Sequence, residues 1–144
     1  MEWFNLYGLI FIILILIPNI IYAFKNKQSN NQSTRHSILI LEQIGRYGCI
    51  IFMTFNIPHV CFGYLLGNVM LVYLIINGIL ITIYYLSWAI LIKEKSKLKA
   101  LLLSIIPSVI FLFSGVINIS IPLLLCSIIF TISHIYISYK HATN

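Results

Sequence analysis

The chain has 144 residues, of which 60% are hydrophobic and only 8% are charged, with nine basic and three acidic side chains. Soluble domains carry about 25% charged residues, so these few charges cannot cover a water-soluble domain of this length. Because disordered chains are poor in apolar residues, the composition also excludes that class. The composition predicts an all-α, polytopic integral membrane protein that occupies the lipid bilayer.

Five apolar segments predict a compact bundle of five transmembrane helices that takes up residues 1–144 as a single transmembrane domain. A span needs about 20 residues, so five spans leave no room for a soluble domain. The first segment is expected to be a retained span, because it lacks the basic region and the small-residue cleavage site of a signal peptide. The predicted spans cover about residues 3–24, 38–62, 68–92, 100–117 and 121–139.

The basic residues of the loops predict the orientation of the bundle. The loops near residues 58–68 and 118–120 contain no Lys or Arg, whereas the alternate loops are rich in them. Cytoplasmic loops of membrane proteins are enriched in Lys and Arg, so we expect the N-terminus outside and the C-terminus in the cytoplasm of a cell membrane. The net charge of +6 is then an orientation signal, and no nucleic acid is expected as a partner. The residues predicted to face the cytoplasm are Lys25, Lys27, Arg35, Lys93, Lys95, Lys97, Lys99 and Lys140.

Two prolines lie inside predicted spans and should kink them, Pro18 in span one and Pro107 in span four. The segments that contain them, residues 17–24 and 106–113, are similar, and the two spans run in opposite directions. The similarity either arises by chance in an Ile-, Leu- and Phe-rich chain or indicates an inverted repeat, as in some transporters.

Glu42 and Arg46 form the most unusual pair in the sequence, because they are four residues apart and share one helical face. Two positions in the membrane are open. If the span begins at Ile38, Arg46 lies near mid-membrane, where a charge is costly and indicates function. If the span begins near Ile44 and runs through to Tyr64, the pair lies at the inner interface, where the Arg46 side chain reaches water.

His134 lies in span five at a depth similar to that of the Glu42–Arg46 pair, and several serines fall in the same half of the membrane. This placement predicts a polar, ligand-binding cavity that opens to the cytoplasm. The alternative for His134 is a structural hydrogen bond to a neighbouring helix. The residues expected to line the cavity are Glu42, Arg46, Ser104, Ser108 and His134.

Several kinds of chemistry lack the residues they need. The chain contains no Asp, and the other two acids, Glu2 and Glu94, lie at the N-terminus and in a lysine-rich loop. Paired-carboxylate catalysis is therefore not expected. The three cysteines are isolated from one another in the sequence, and no ligand spacing typical of a metal site occurs. We expect no catalytic residue, no metal and no cofactor.

Three functions remain open for a chain of this kind. The leading one is a non-enzymatic accessory, immunity or ligand-sensing component that binds a small molecule or a membrane protein partner. The second is a homo-oligomeric transporter or channel for a small solute. The third is a membrane enzyme acting on a lipid or isoprenoid substrate, which requires a substrate-sized cavity. Frequent Ile, Asn and Lys indicate a bacterial source.

Overall fold

A computed structural model describes residues 3–25, 36–58, 60–61, 68–91 and 97–143. Within these ranges the structure confirms the all-α class and five helices. Helices α2 to α5 are each long and apolar enough to cross a membrane, and the described apolar part of α1, Leu6–Ile21, is shorter. The helices are α1 (Leu6–Lys25), α2 (His36–Thr54), α3 (Val69–Leu91), α4 (Lys97–Ile117) and α5 (Ile121–Thr143).

The five helices pack as a ring in the order α1, α2, α5, α4, α3, with a further contact between α2 and α4. Helices α1, α3 and α5 run in one direction, and α2 and α4 run in the other. The bundle therefore has two ends. The Trp3 end contains the start of α1 and the turn between α4 and α5. The Lys140 end contains the end of α5 and the starts of α2 and α4.

Backbone hydrogen bonds tie the chain together at the Trp3 end. The Asn5 amide donates to the Thr54 carbonyl at 2.7 Å, and the Asn56 amide donates to the Trp3 carbonyl at 2.9 Å. Residues 55 and 56 follow the end of α2, so these bonds fasten that segment to the chain before α1. Peptide groups outside helices need such partners wherever lipid excludes water.

The connection between α4 and α5 is a tight turn at the same end. Helix α4 ends at Ile117, and α5 begins at Ile121 with Pro122 in its first turn, where a missing amide costs nothing. Ile119 takes a left-handed conformation with φ of 44°, which is strained for a β-branched side chain. The Ile121 amide donates to the Val60 carbonyl at 3.3 Å, which ties the turn to the segment after α2.

Helix α2 ends at Thr54, well before the predicted end of span two at residue 62. Pro58 has no amide hydrogen and disfavours helical geometry at Ile57, so the helix cannot continue through this segment. A continuous helix from Ile44 toward Tyr64 is therefore not present among the described residues, and the depth of Glu42 and Arg46 in the membrane stays a prediction. Tyr64 itself lies outside the described residues, as do Lys27, Arg35, Lys93 and Lys95.

The interior of the ring combines apolar side chains with buried polar ones such as Asn77 and Ser114, and most of the outer surface is apolar. Ile90, Ile132 and Leu71 are each at least 60% exposed. Extended exposed apolar surfaces are rare on soluble proteins, so this surface supports association with a membrane. The buried side chains at the centre include Ile12, Ile15, Cys49, Met53, Tyr73, Ile81, Tyr84, Ile110, Leu123 and Phe130.

Candidate functional site

Two glycines of α2 allow α5 to approach closely. A Cβ atom on Gly45 would lie 2.7 Å from the Phe130 amide nitrogen, and one on Gly48 would overlap the Cys126 sulfur. A larger side chain at Gly45 would meet the Phe130 backbone and push the two helices apart, whereas one at Gly48 would displace the Cys126 side chain. Since α2 and α5 are antiparallel, this close crossing, the α2–α5 seam, brings residues near 42 and 134 opposite one another.

Glu42 lies at this seam and is only 3% exposed. Its Oε1 atom accepts a hydrogen bond from the Arg46 guanidinium on the same helix, as the four-residue spacing predicts. The same oxygen lies 3.2 Å from Nδ1 of His134 on α5. The His134 ring stacks on Phe130 with centroids 4.6 Å apart. We call these three polar residues the Glu42–Arg46–His134 cluster.

The partners of Glu42 are less buried than Glu42 itself. The Arg46 side chain is 36% exposed and the His134 side chain is 21% exposed. A guanidinium has five N–H donors, and the imidazole has a second nitrogen beyond the one that faces Glu42. The carboxylate is thus enclosed and paired, while its two partners keep hydrogen-bonding capacity on their other sides.

Arg46 and His134 also line a small cavity inside the ring. Its volume is about 20 Å³. One water molecule needs about 10–15 Å³ of such space, so the cavity holds one or two water-sized species. Helices α1, α2, α4 and α5 all contribute to it. The lining residues are Ile12, Ile15, Leu16, Asn19, Arg46, Ile50, Pro107, Phe111, Phe130 and His134.

Neutral hydrogen bonds connect α1 and α3 on the opposite side of this cavity. Pro18 has no amide hydrogen, so the Leu14 carbonyl four residues earlier lacks its helical donor. The Tyr85 hydroxyl on α3 donates to that carbonyl at 2.8 Å. The adjacent Tyr84 hydroxyl donates to the Asn19 side-chain oxygen at 3.0 Å. The break at Pro18 is thereby repaired by a neighbouring helix, and we call these two bonds the α1–α3 clasp.

Ser104 and Ser108 differ from the sequence-based expectation. Both are 1% exposed, and neither of them lines the cavity; Glu42, which was also expected there, contacts two lining residues but is not itself part of the lining. The Ser108 hydroxyl donates to the Ser104 carbonyl at 2.8 Å, and the Ser104 hydroxyl donates to the Leu101 carbonyl at 3.0 Å. Serines in apolar helices commonly satisfy their hydroxyls on their own backbone. The structure thus brings together Glu42, Arg46 and His134 but not the two serines.

Sequence reasoning missed two residues of this site. Asn19 lies at the exposed rim of the cavity, and Phe130 forms part of the seam and supports the His134 ring. The signals for them were present in the sequence. Asn19 directly follows Pro18, where a helix must find new hydrogen-bond partners, and Phe130 precedes His134 by one helical turn.

Among the described residues, no group of three or more His, Cys, Asp and Glu side chains is close enough to hold a metal ion. Comparison of the chain with protein-family models, with curated protein sequences and with solved structures found no match. The residues themselves therefore provide the basis for assigning a role to this bundle.

Proposed function

We propose that the protein is a non-enzymatic, ligand-sensing component of a cell membrane. The observation that carries this proposal is the sharing of one buried carboxylate, Glu42, between Arg46 and His134, both of which also line a cavity. An ion cluster inside an apolar bundle is costly, and ionisable groups in membrane spans usually serve a function. Occupation of the cavity would act directly on the two groups that hold Glu42.

The sensing step follows from the position of the cluster on the seam. Glu42 and Arg46 belong to α2, whereas His134 belongs to α5. A ligand that draws Arg46 or His134 toward the cavity weakens the Glu42–His134 contact that links the two helices. Because Gly45 and Phe130 already touch, the helices respond by rotating or sliding about that point rather than by moving closer. A membrane protein partner, or a second copy of the chain, bound to these helices would respond to that movement.

The distribution of basic residues supports an orientation with the N-terminus outside and the C-terminus in the cytoplasm. Lys99 and Lys140 lie at the Lys140 end, where the backbones of Lys25 and Lys97 also lie. The described residues of the Trp3 end include no Lys or Arg. The positive-inside rule then places the Lys140 end in the cytoplasm. The cavity would communicate with that side.

Cysteine labelling tests whether the cavity is open to water. Cys49, Cys61 and Cys126 are first replaced, and a single cysteine is placed at position 46 together with Glu42→Gln, which avoids an unpaired buried carboxylate. We expect a small, membrane-impermeant thiol reagent to label Arg46→Cys from the cytoplasmic side and not from the outside. Lys140→Cys and Trp3→Cys report the two sides of the membrane.

Ile44→Cys provides the matched control for this experiment. Ile44 lies on the same helix and is 55% exposed, yet it faces away from the seam. A thiol in lipid stays protonated and reacts poorly, so position 44 should remain unlabelled. If positions 44 and 46 are equally unreactive while Lys140→Cys is labelled, the cluster serves packing alone and the proposal fails.

Transport by a homo-oligomer is a second candidate, and the two internal prolines favour it. Pro107 lines the cavity, and Pro18 precedes Asn19 at its rim, on helices that run in opposite directions. Apolar segments with an internal proline in corresponding positions are a feature of some secondary transporters. Liposomes containing the protein would be loaded with potassium chloride, and ion-selective electrodes would follow each ion. Flux that Glu42→Gln abolishes without unfolding supports transport, and no flux above that of empty liposomes opposes it.

A role as a lipid enzyme gains no support from this cavity. Its volume of about 20 Å³ suits one or two water-sized species rather than a lipid headgroup or an isoprenoid. The Oε1 atom of Glu42 accepts from Arg46 and lies 3.2 Å from Nδ1 of His134, so a general base at this residue would have to act through Oε2 or lose these contacts.

A further inference from the structure

The polar groups that face the cavity are mainly hydrogen-bond donors. Arg46 contributes a guanidinium of which one N–H group donates to Glu42. The side-chain amide of Asn19 already has hydrogen-bond partners within the protein. Its nitrogen donates to the Ile15 carbonyl at 3.3 Å, and its oxygen accepts from the Tyr84 hydroxyl. His134 adds a second donor when its imidazole is protonated, and the remaining lining residues are apolar. A ligand held here must therefore accept hydrogen bonds, which favours an anion over a cation.

The charge balance of the site favours an anion as well. Glu42 neutralises Arg46, so the cluster is neutral when the imidazole is neutral and carries one positive charge when the imidazole is protonated. Glu42 and Arg46, both on α2, are the charged groups at His134. The lining residues of α1 and α4 contain no titratable side chain. An unbalanced charge in an apolar cavity is costly, and one bound anion removes that cost.

The size of the cavity restricts the ligand further. About 20 Å³ admits one species of roughly the size of a water molecule or slightly larger. Carboxylic acids, phosphates and nucleotides are too large unless the helices separate. We propose that the cavity binds one small inorganic anion of the chloride class, held by Arg46 and by protonated His134. This proposal rests on the ligand-sensing function and names its ligand.

Binding of this kind couples the anion to a proton. The anion enters most favourably when His134 is protonated, so its affinity falls as the pH rises. If one proton is taken up for each anion, the affinity falls by up to about tenfold for each unit by which the pH rises. The site would thus respond to chloride and acidity together, and either signal alone would give a weaker response.

The test is a chloride titration of the purified protein in which the Tm of thermal unfolding is the readout. Gluconate replaces chloride so that the ionic strength stays constant. We expect chloride to raise the Tm at a pH of about 5.5 and to do so less effectively at a pH of about 8, because a protonated imidazole supplies a donor and a positive charge to the anion. Bromide should act like chloride, and sulfate should have no effect because it is too large. Equal Tm values in chloride and gluconate at the lower pH would overturn the proposal.

Substitutions distinguish the contribution of Arg46 to chloride binding from that of His134. Arg46→Gln should abolish the chloride effect, and His134→Gln should weaken it and remove its pH dependence. If Arg46→Gln does not fold, the Glu42→Gln/Arg46→Gln double variant removes the charge without leaving Glu42 unpaired. Thr82→Val is the matched control, because Thr82 lies on the outer surface of α3 and its hydroxyl donates to the Gly78 carbonyl. A chloride effect that persists in both Arg46 variants would contradict the assignment.

The labelling experiment distinguishes failure of this inference from failure of the proposed function. If Arg46→Cys is labelled from the cytoplasm but chloride has no effect on the wild-type protein, the cavity is accessible and its ligand is not a chloride-class anion. If Arg46→Cys is not labelled, the ligand-sensing function fails and this inference fails with it.

Discussion

The two polar connections on either side of the cavity stabilise the bundle in different ways. The Glu42–Arg46–His134 cluster joins α2 to α5 through charged groups, and its central carboxylate is almost fully enclosed. The α1–α3 clasp joins its helices through neutral hydroxyl, amide and carbonyl groups. A charged cluster is sensitive to the loss of any member, because the remaining charges are left unpaired. A neutral clasp loses one hydrogen bond at a time and is the more robust of the two.

The largest effect is expected from Glu42→Ala. Arg46 would keep its charge without a buried partner, and we expect a loss of about 2–4 kcal/mol of unfolding free energy, moderated because the Arg46 side chain is partly exposed. Thermal unfolding in detergent, followed by tryptophan fluorescence, measures the loss. Replacing both residues, Glu42→Met with Arg46→Met, should recover most of it. Equal losses in the single and double variants would show that the charges are not coupled.

A smaller loss is expected from Gly45→Ala. The added methyl group would lie 2.7–2.9 Å from Phe130 atoms, so the helices must separate, at a cost of about 1–3 kcal/mol. The movement would also lengthen the Glu42–His134 contact. Gly78→Ala is the control, since a Cβ atom there meets nothing within 4 Å. Alanine is a better helix former than glycine, so that variant should gain up to about 1 kcal/mol. Similar changes in Tm for both variants would argue against a close seam.

On the neutral side, Tyr85→Phe should cost about 1–2 kcal/mol, because the Leu14 carbonyl would lose the donor that compensates for Pro18. A double-mutant cycle tests whether the loss arises from the hydrogen bond between the Tyr85 hydroxyl and the Leu14 carbonyl. With Pro18→Ala, the residue at position 18 supplies an amide to Leu14, so adding Tyr85→Phe should then cost little. Unfolding of the four proteins of the cycle gives the coupling energy. If Tyr85→Phe costs the same in both backgrounds, the hydroxyl does not compensate for the proline.

The smallest effect is expected from Tyr84→Phe, at about 0.6 kcal/mol, the average for single interhelical hydrogen bonds in membrane proteins. Asn19 is exposed at the rim, so its oxygen can find another partner once the hydroxyl is gone. The same unfolding assay measures this change. A loss of unfolding free energy as large as that of Glu42→Ala would contradict the view that the neutral clasp is less sensitive to substitution than the charged cluster.

The class of the fold and the number of helices could be predicted because they follow from the lengths of the apolar segments. The pairing of Glu42 with Arg46 follows from their spacing on one helix. The end of α2 was harder to predict. Hydropathy continues past Thr54, whereas Pro58 and the backbone bonds from Asn56 to Trp3 stop the helix there.

The lining of the cavity could be predicted only in part, because it depends on how helices distant in the chain are rotated. Depth alone placed His134 near Glu42, and the glycines of α2 explain why the two side chains meet. Depth alone also predicted Ser104 and Ser108 as cavity-lining residues. Their short side chains instead donate to backbone carbonyls of their own helix. The capture of the Leu14 carbonyl by Tyr85 requires knowing that α3 packs beside α1.

Helices α4 and α5 both run from the cavity to the turn at the Trp3 end, and α5 does so without a proline beyond its first turn. Its 23 residues extend about 35 Å, and its single proline, Pro122, lies in the first turn. Helices α1 and α4 each contain an internal proline and can bend, but α5 is continuous beyond its first turn and resists bending. A rotation of α5 at His134 would thus move Ile121 by nearly the same angle and would act on the hydrogen bond between Ile121 and Val60. In mechanical terms α5 is a lever, with its pivot at Gly45 and Phe130.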